Sequence, residues 1–279
     1  MNIRELESKS ILYRKQILEI IMCAQAGHIG GSLSCIDILN VLYNHVMNVT
    51  PENFLIQNHD RYVHSKGHAV YALYAVLADK GFFPYDDATK KDRFGTLFIG
   101  HPTRDIPGIE INTGALGHGL SAAAGMALVA KRDNLPVRVF VMMGDGELAE
   151  GSLWEAAMFA SHYKLDNLTA IIDRNKLQIS GPTEQVMTLE PLEDRFLSFG
   201  FKVRSVNGNA ISDLLDVFGC LPFETDKPSL IIAHTIKGKG VSFMENQAIW
   251  HHRVPTSEEY TKAIEELDLA EVELLKVGP

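Results

Sequence analysis

The sequence predicts an α/β fold in which a doubly wound parallel sheet carries helices on both faces. Short runs rich in β-branched residues indicate four strands, namely Val137–Met143, Leu168–Asp173, Lys202–Val206 and Ser229–His234. Segments of helical character fill the intervals between them, namely Leu153–Tyr163, Glu193–Phe199 and Ser212–Leu221. This alternation builds parallel sheets with right-handed crossovers, and such sheets bind ligands beyond the carboxyl ends of their strands.

The amino-terminal part of the chain is predicted to be helical. Apolar residues recur every three or four positions from Tyr13 to Ala24, which predicts an amphipathic helix that stops at Gly27. Ser34 stands three residues before Asp37, a spacing that resembles a capping box. We therefore expect a second helix to open there, after a break at two glycines.

One further strand and two further helices complete the prediction. Arg61–His64 is expected to be a short strand that leads into a third helix from Gly67 to Gly81. The chain closes with an acidic helical stretch. We expect residues 1–279 to form a single domain, with residues 257–279 as a C-terminal helical tail.

Composition and charge exclude several classes of protein. With 46% hydrophobic and 22% charged residues, the chain is typical of globular rather than disordered or fibrous proteins. Its net charge of −9 has the wrong sign for attraction to nucleic acid or to anionic lipid. The sequence shows no apolar run long enough for a membrane span and no signal core. Three widely spaced cysteines without CxxC spacing favour a reducing compartment, so a cytoplasmic location is expected.

The strongest local motif is Gly144-Asp145-Gly146, which follows one predicted strand, together with Asn175, which follows the next. Because the carboxyl ends of parallel strands meet at one edge of a sheet, these polar groups should lie close together. Glycines let backbone amides approach an anion, and carboxylate and amide oxygens suit Mg²⁺, with Ca²⁺ or Mn²⁺ as alternatives. A diphosphate bridged by Mg²⁺ is the corresponding ligand. The alternative is that the glycines form only a turn and Asn175 only a cap.

Two other glycine motifs are less specific. The run from Gly117 to Ala122 fits the G-x-G-x-x-A pattern of a dinucleotide-binding turn, but the preceding segment is too short and polar for the required strand. A nicotinamide site is therefore a weak alternative. The segment starting at Lys237 lacks the spacing of a P-loop.

The sequence has eleven histidines, and His28, His68, His101 and His251 each adjoin Gly, Pro or Trp at a loop-like or helix-entry position. Such positions favour function over packing. Histidine can exchange protons near neutral pH or donate hydrogen bonds to sugar oxygens and phosphates. His64 and His68 also have the spacing of a zinc pair, which leaves a metallohydrolase as an alternative.

Seven stretches together carry a resemblance to a known family: Ala26-Gly-His28, Ser65-Lys-Gly-His68, Gly100-His101-Pro102, Gly108 to Gly119, Gly144-Asp-Gly through Gly151, Asp173-Arg-Asn175 and Thr235-Ile-Lys-Gly-Lys-Gly. In this series the chain resembles the N-terminal half of a transketolase, in the form split into two polypeptides. The resemblance implies a thiamine diphosphate-binding domain that holds the diphosphate through Mg²⁺. It also implies transfer of a two-carbon ketol unit from a ketose phosphate to an aldose phosphate, a reaction of the pentose phosphate pathway.

The resemblance also implies roles for individual positions. The side chains of Asp145 and Asn175 and the backbone carbonyl of Leu177 match the metal ligands. Further positions match groups that contact the cofactor: His68, Gly114, Leu116, Gly144, Gly146, Ile179 and His251. His28 and His101 match histidines that bind the donor sugar and assist proton transfer, and Glu150 matches a glutamate that links two active sites.

Two departures and one absence accompany the resemblance. The chain has His251-His252 where the family often has His-Gly, so His252 is an alternative site histidine, and His118 stands where glutamine is frequent. The family's second α/β domain, which completes the cofactor site, has no counterpart in this sequence. We therefore expect a C-terminal partner subunit in an α2β2 heterotetramer, without which the chain is inactive. Alternatives are a relative acting on a modified sugar phosphate and the diphosphate-binding subunit of a 2-oxo acid dehydrogenase.

Overall fold

The computed structural model describes residues 1–56, 58–90 and 95–276, and within these ranges five parallel strands form one sheet. The strands of this sheet follow the spatial order β1-β2-β3-β7-β6, and a separate two-stranded antiparallel hairpin is formed by β4 and β5. Their bounds are β1 Arg61–His64, β2 Val139–Gly144, β3 Leu168–Arg174, β4 Leu177–Gln178, β5 Gly181–Pro182, β6 Lys202–Asn207 and β7 Ser229–His234.

Helices cover both faces of the sheet. Their bounds are α1 Ile3–Ala24, α2 Ile29–Val41, α3 Val70–Asp79, α4 Tyr85–Thr89, α5 Gly119–Arg132, α6 Gly151–His162, α7 Thr183–Val186, α8 Leu192–Ser198, α9 Ile211–Gly219 and α10 Ser257–Lys276. A π-helical turn, Leu42–Val46, continues α2. None of the helices in the described part of the chain is long and apolar enough to cross a membrane.

Strand β2 shows how the two layers form. Successive side chains of a strand point to opposite faces of the sheet. Phe140 and Met142 pack into a core with α1, α2, α3, α9 and α10, whereas Val139 and Val141 pack into a second core with α5, α6 and α8. The predicted doubly wound α/β fold is confirmed, and burial of both faces places polar groups at the strand ends.

The second helix begins earlier than the sequence predicts. It starts at Ile29 and runs through both glycines, and Ser34 lies inside it rather than at its cap. A Cβ on Gly30 would lie 2.8 Å from the carbonyl oxygen of Trp250, so glycine is required there by close packing rather than by a break. The Ser34 hydroxyl instead donates to Asp173 at 2.6 Å.

The other predicted elements shift by only a few residues. The first helix ends at Ala24, where Gln25 adopts a left-handed conformation with a φ of 51°. The third helix ends at Asp79, just before Gly81 at a φ of +81°. The acidic stretch at the C-terminus is helical as predicted and packs its buried Leu267 against the core that contains α1. Residues 277–279 of the predicted tail lie outside the described residues.

Truncation of Ile171 tests the importance of the central strand. This side chain is 0% exposed in β3, so Ile171→Ala removes buried methyl groups and leaves a cavity. We expect the free energy of unfolding to fall by roughly 2–5 kcal/mol in urea denaturation followed by circular dichroism. Leu197→Ala on α8, where the side chain is 45% exposed, is the control and should change it by less than about 0.5 kcal/mol. Equal effects of the two substitutions would contradict this description of the core.

Candidate active site

The carboxyl ends of β1, β2 and β3 open into a cavity of about 320 Å³. The loop after each of these strands contributes to its wall, as do the N-terminal end of α2 and the segments that follow β7. A cavity of this size lies within the range of small-molecule sites.

The structure brings twelve of the thirteen predicted site residues to this cavity, and they are His28, His68, His101, Gly114, Leu116, Gly144, Asp145, Gly146, Asn175, Leu177, Ile179 and His251. Glu150 is the exception. Glu150 is exposed at the N-terminus of α6. It packs closely against Gly117, where an added Cβ would lie 2.5 Å from the Cβ of Glu150. Its position beside the cavity, rather than in it, suits a contact with another chain better than a contact with a ligand.

The predicted metal ligands form a set of oxygen donors. Asp145 is 2% exposed, and its carboxylate accepts hydrogen bonds from the backbone amides of Gly146 at 2.8 Å and Lys176 at 2.5 Å. The Asn175 side-chain oxygen accepts from the Leu177 amide at 3.1 Å. Burial raises the pKa of Asp145, and Asp173 adds to this, while the Arg174 guanidinium pairs with its carboxylate at 3.2 Å and opposes the shift.

The alternative of a zinc pair, His64 with His68, is not supported by their positions. His64 is 3% exposed, and its Nδ1 lies 2.7 Å from the Tyr62 hydroxyl, whereas His68 lines the cavity. Among the described residues, no group of three or more His, Cys, Asp or Glu side chains is arranged to hold a metal ion. The oxygen set at Asp145 contains one carboxylate, one amide and one backbone carbonyl, which suits a hard cation whose ligand completes the coordination shell.

The backbone amides of Gly144 and Gly146 were expected to approach an anion, but in the structure they donate hydrogen bonds to carboxylates of the chain. Gly144 donates its amide to Glu147 at 3.1 Å, and Gly146 donates to Asp145 at 2.8 Å. Both donors are therefore satisfied within the chain. Glycine is instead needed at position 146 for close packing, because an added Cβ would lie 2.8 Å from the side chain of Gln178.

Two buried lysines at the cavity were not among the predicted site residues. Lys66 is 1% exposed and forms an ion pair with Asp173. Lys237, also 1% exposed, donates to the Leu177 carbonyl at 2.9 Å and contacts His251 Nδ1 at 2.8 Å. Burial, with the nearby Lys66 charge, lowers the pKa of Lys237 to about 8. Asp173 balances the charge of Lys66, whereas Lys237 forms no ion pair among the described residues, so the charge of Lys237 favours an anion in the cavity.

Glu147 also lines the cavity and was missed. It is 2% exposed and accepts hydrogen bonds from the Ser65 hydroxyl and from the amides of Gly117 at 2.8 Å and Gly144 at 3.1 Å. This one carboxylate therefore ties together the segments after β1 and β2 and the start of α5. The sequence does contain a signal for both missed residues. Glu147 follows the glycine motif and Lys66 follows β1, so each stands just beyond the carboxyl end of a strand, where ligands bind in such sheets.

The histidines form a connected cluster around His28. The ring centroid of His28 lies 5.1 Å from that of His68, 5.4 Å from that of His251 and 6.3 Å from that of His101. Burial, with His252 and His101 adding, lowers the pKa of His28 to about 4. Burial and the charge of Lys237 lower the pKa of His251 to about 3. At neutral pH these rings are therefore neutral, and each can both donate and accept a hydrogen bond.

The structure separates His251 from His252. His251 lines the cavity, whereas His252 is exposed and lies outside the lining, with its ring centroid 4.5 Å from that of His28. His251 is therefore the one of the two that a ligand in the cavity would meet.

Comparison with known proteins assigns the family. Over residues 9–269 the chain matches the family described as "Transketolase, thiamine diphosphate binding domain". The chain belongs to the transketolase family. The predicted resemblance and the fold class are thereby confirmed, and the predicted transferase is confirmed at the level of the family.

Three relatives illustrate the match. One subunit of the apulose-4-phosphate transketolase of Phocaeicola vulgatus is 51% identical over 267 residues, which cover 96% of this chain and 95% of that one. The 6-deoxy-6-sulfo-D-fructose transketolase subunit SqwG of a Clostridium species is 42% identical, with 95% and 96% covered. The crystal structure of transketolase from Campylobacter jejuni superposes with a TM-score of 0.85 and 29% identity over 99% of this chain. The chain spans about half of that solved transketolase, since it covers 48% of its length.

Replacement of His252 tests the coupling within the histidine cluster. His252→Gln removes a ring that lies 4.5 Å from His28 and contributes to lowering its pKa, so the pKa of His28 should rise from about 4. The pKa is measured by NMR titration of the imidazole nitrogens. His162→Gln at the far end of α6 is the control and should leave the titration unchanged. An unchanged His28 pKa in His252→Gln would contradict the proposed coupling.

Lowered histidine pKa values also predict acid sensitivity. His28 and His251 have folded-state pKa values of about 4 and about 3 against 6.5 in the unfolded chain, so the unfolded state takes up their protons first as pH falls. Their contribution to stability is complete above pH 6.5 and is lost progressively below it. In urea denaturation, the wild type should lose more unfolding free energy between pH 7 and pH 5 than a His28→Gln/His251→Gln variant. Equal losses would contradict this prediction.

Proposed function

We propose that this chain is the cofactor-binding N-terminal subunit of a two-chain transketolase, which transfers a two-carbon ketol unit from a ketose phosphate to an aldose phosphate. The observation that carries the proposal is one cavity in which the oxygen donors of Asp145, Asn175 and Leu177 stand beside two buried lysines and a cluster of neutral histidines. In this proposal residues 1–279 form one diphosphate-binding domain with a helical tail at 257–279.

The donor set fits a divalent cation. Asp145, Asn175 and Leu177 would hold Mg²⁺, with Ca²⁺ or Mn²⁺ as alternatives, and the remaining positions would be filled by diphosphate and water. The Leu177 carbonyl already accepts a hydrogen bond from the Lys237 ammonium at 2.9 Å, so this oxygen is placed to bind a positively charged group. Lys66 and Lys237, with His68 and His251, would bind the diphosphate.

Apolar residues of the cavity fit the organic part of the cofactor. Leu116 and Ile179 would contact its rings, and the Ile179 side chain is 68% exposed. Gly114 has a φ of +144°, and a Cβ there would lie 2.9 Å from His101. Glycine at this position therefore leaves space for the ring of His101. Bound thiamine diphosphate supplies the carbanion chemistry that breaks and forms the carbon–carbon bond.

Two of the histidines, His28 and His101, would bind the donor sugar and transfer protons. His28 and His101 lie at the cavity with lowered pKa values, caused by burial, and would donate and accept hydrogen bonds with donor hydroxyls at neutral pH. His28 and His101 can also pass protons to and from oxygen atoms of the substrate during bond cleavage.

A C-terminal partner subunit would complete the site. Large apolar side chains are exposed next to residues of the cavity wall, including Ile179 at 68%, Ile249 at 66% and Ile99 at 49%. Exposed apolar surface beside a cavity is typical of a surface that another chain covers. Two of the relatives carry the word subunit in their names, which supports a partner for this chain as well. An α2β2 heterotetramer would place Glu150 between two active sites.

The sugar itself defines two versions of the proposal. Ordinary pentose phosphates would place the enzyme in the pentose phosphate pathway. The names of the two relatives, for apulose 4-phosphate and for 6-deoxy-6-sulfo-D-fructose, favour a second candidate, which is a transketolase that acts on a modified sugar phosphate. A cytoplasmic location agrees with three free cysteines. A coupled assay of the assembled complex over a panel of donor sugars distinguishes the two versions.

Replacement of Asp145 tests the metal assignment. Asp145→Ala removes the only carboxylate of the proposed donor set, so Mg²⁺-dependent retention of thiamine diphosphate should be lost in equilibrium dialysis. Asp213→Ala, an exposed position on α9, is the control and should retain the cofactor normally. Circular dichroism verifies that both variants fold. Normal retention by a folded Asp145→Ala variant would remove the metal assignment.

Native mass spectrometry of the chain, purified from its source cells with Mg²⁺ present, tests the proposal as a whole. We expect a second polypeptide together with the masses of thiamine diphosphate and a metal ion. Recovery of only a cofactor-free monomer or homodimer, which takes up no thiamine diphosphate on titration, would overturn the proposed function.

A further inference from the structure

Asp173 is a buried carboxylate that accepts hydrogen bonds from several segments around the cavity. Its side chain is 0% exposed at the end of β3, and it does not line the cavity itself. Four donors from four parts of the chain converge on its carboxylate, and they are Ser34 Oγ at 2.6 Å, Asn175 Nδ2 at 3.3 Å, Lys66 Nζ and Thr235 Oγ1. Lys66 supplies the charge that balances the carboxylate, and together with the hydroxyl donors it holds the pKa of Asp173 below its usual value despite burial.

The contact with Asn175 fixes which way its amide points. An amide has one donor side and one acceptor side, and the donor side of Asn175 faces the Asp173 carboxylate. The opposite side therefore carries the oxygen, which accepts from the Leu177 amide at 3.1 Å. A rotation by 180° would bring the amide oxygen against a buried carboxylate and turn the NH₂ group towards the cation position.

We propose that Asp173 is a positioning residue that orients the side-chain oxygen of Asn175 for metal binding. The inference rests on the proposed function, because Asn175 is a metal ligand only if the cavity holds the metal. Asp173 touches neither the metal nor the cofactor in this proposal. Its hydrogen bond acts through Asn175, whereas its charge, which Asp145 also feels, is present whether or not Asn175 is there. Residues that orient a metal ligand typically contribute about 10- to 100-fold to metal affinity.

A double-mutant cycle tests the inference. The dissociation constant of Mn²⁺ is measured by titration calorimetry on the full chain assembled with its partner subunit and saturated with thiamine diphosphate, for the wild type, Asp173→Asn, Asn175→Ala and the double variant. We expect Asp173→Asn to weaken Mn²⁺ binding about 10- to 100-fold in the wild type and clearly less in the Asn175→Ala background, where only the loss of its charge near Asp145 remains. Equal losses in both backgrounds, or no loss in either, would overturn the inference.

A matched control separates orientation from general damage. Asp37 is another buried carboxylate, 3% exposed, which pairs with Arg14 at 2.6 Å and accepts from Asn209 at 2.8 Å. Asp37→Asn should leave Mn²⁺ affinity unchanged although it disrupts a similar network. If Asp173→Asn does not fold, the cycle is repeated with Asp173→Asn in a Lys66→Met background, which removes both charges of the pair. Equal weakening by Asp37→Asn would overturn the specific role of Asp173.

An NMR measurement needs no cofactor. In the full chain labelled with ¹⁵N at asparagine, the side-chain amide protons of Asn175 should exchange slowly in the wild type and rapidly in Asp173→Asn, and the resonance is assigned by its absence in Asn175→Ala. Slow exchange together with failure of the wild-type chain, assembled with its partner subunit, to bind Mn²⁺ would overturn the proposed function while leaving the hydrogen bond established. Rapid exchange in the wild type would overturn the inference independently of the cofactor.

Discussion

The buried ion pair between Lys66 and Asp173 is the interaction on which the rest of the site depends. The two side chains are 1% and 0% exposed, so both charges have lost most of their hydration. Such a pair persists only when the remaining hydrogen-bonding groups are satisfied, and donors from α2 and from the loops after β3 and β7 do this. The pair thereby fixes the relative positions of α2 and of the segments that follow β1, β3 and β7 around the cavity.

The electrostatics of the cavity differ from those of the whole chain. The protein carries a net charge of −9, yet two ammonium groups stand at the cavity wall and the nearby histidines are neutral. Burial is the common cause, because it disfavours charge on imidazole and lowers the pKa of Lys237 to about 8. An anion bound here would restore favourable interactions that the protein alone leaves incomplete. Recognition of phosphate is therefore local and does not depend on the overall charge.

The cavity is also asymmetric. Its polar wall is fixed by buried hydrogen bonds, such as those of Glu147, whereas its other side presents exposed apolar residues, such as Ile179. Rigid donors on one side and uncovered apolar surface on the other are what half of a shared site requires.

The sequence by itself determined the strands, the helices on both faces, and the meeting of Asp145 with Asn175, because periodicity and the polarity of strand ends are local properties. The histidines and the family motifs were equally visible. Only the tertiary structure decided the start of α2, the position of His251 rather than His252 in the cavity wall, and the buried contacts of Lys66 and Glu147. Lys66 and Asp173 are separated by 107 residues, and Ser65 and Glu147 by 82. No local pattern specifies such pairs, since they form only when the folded sheet brings distant loops together.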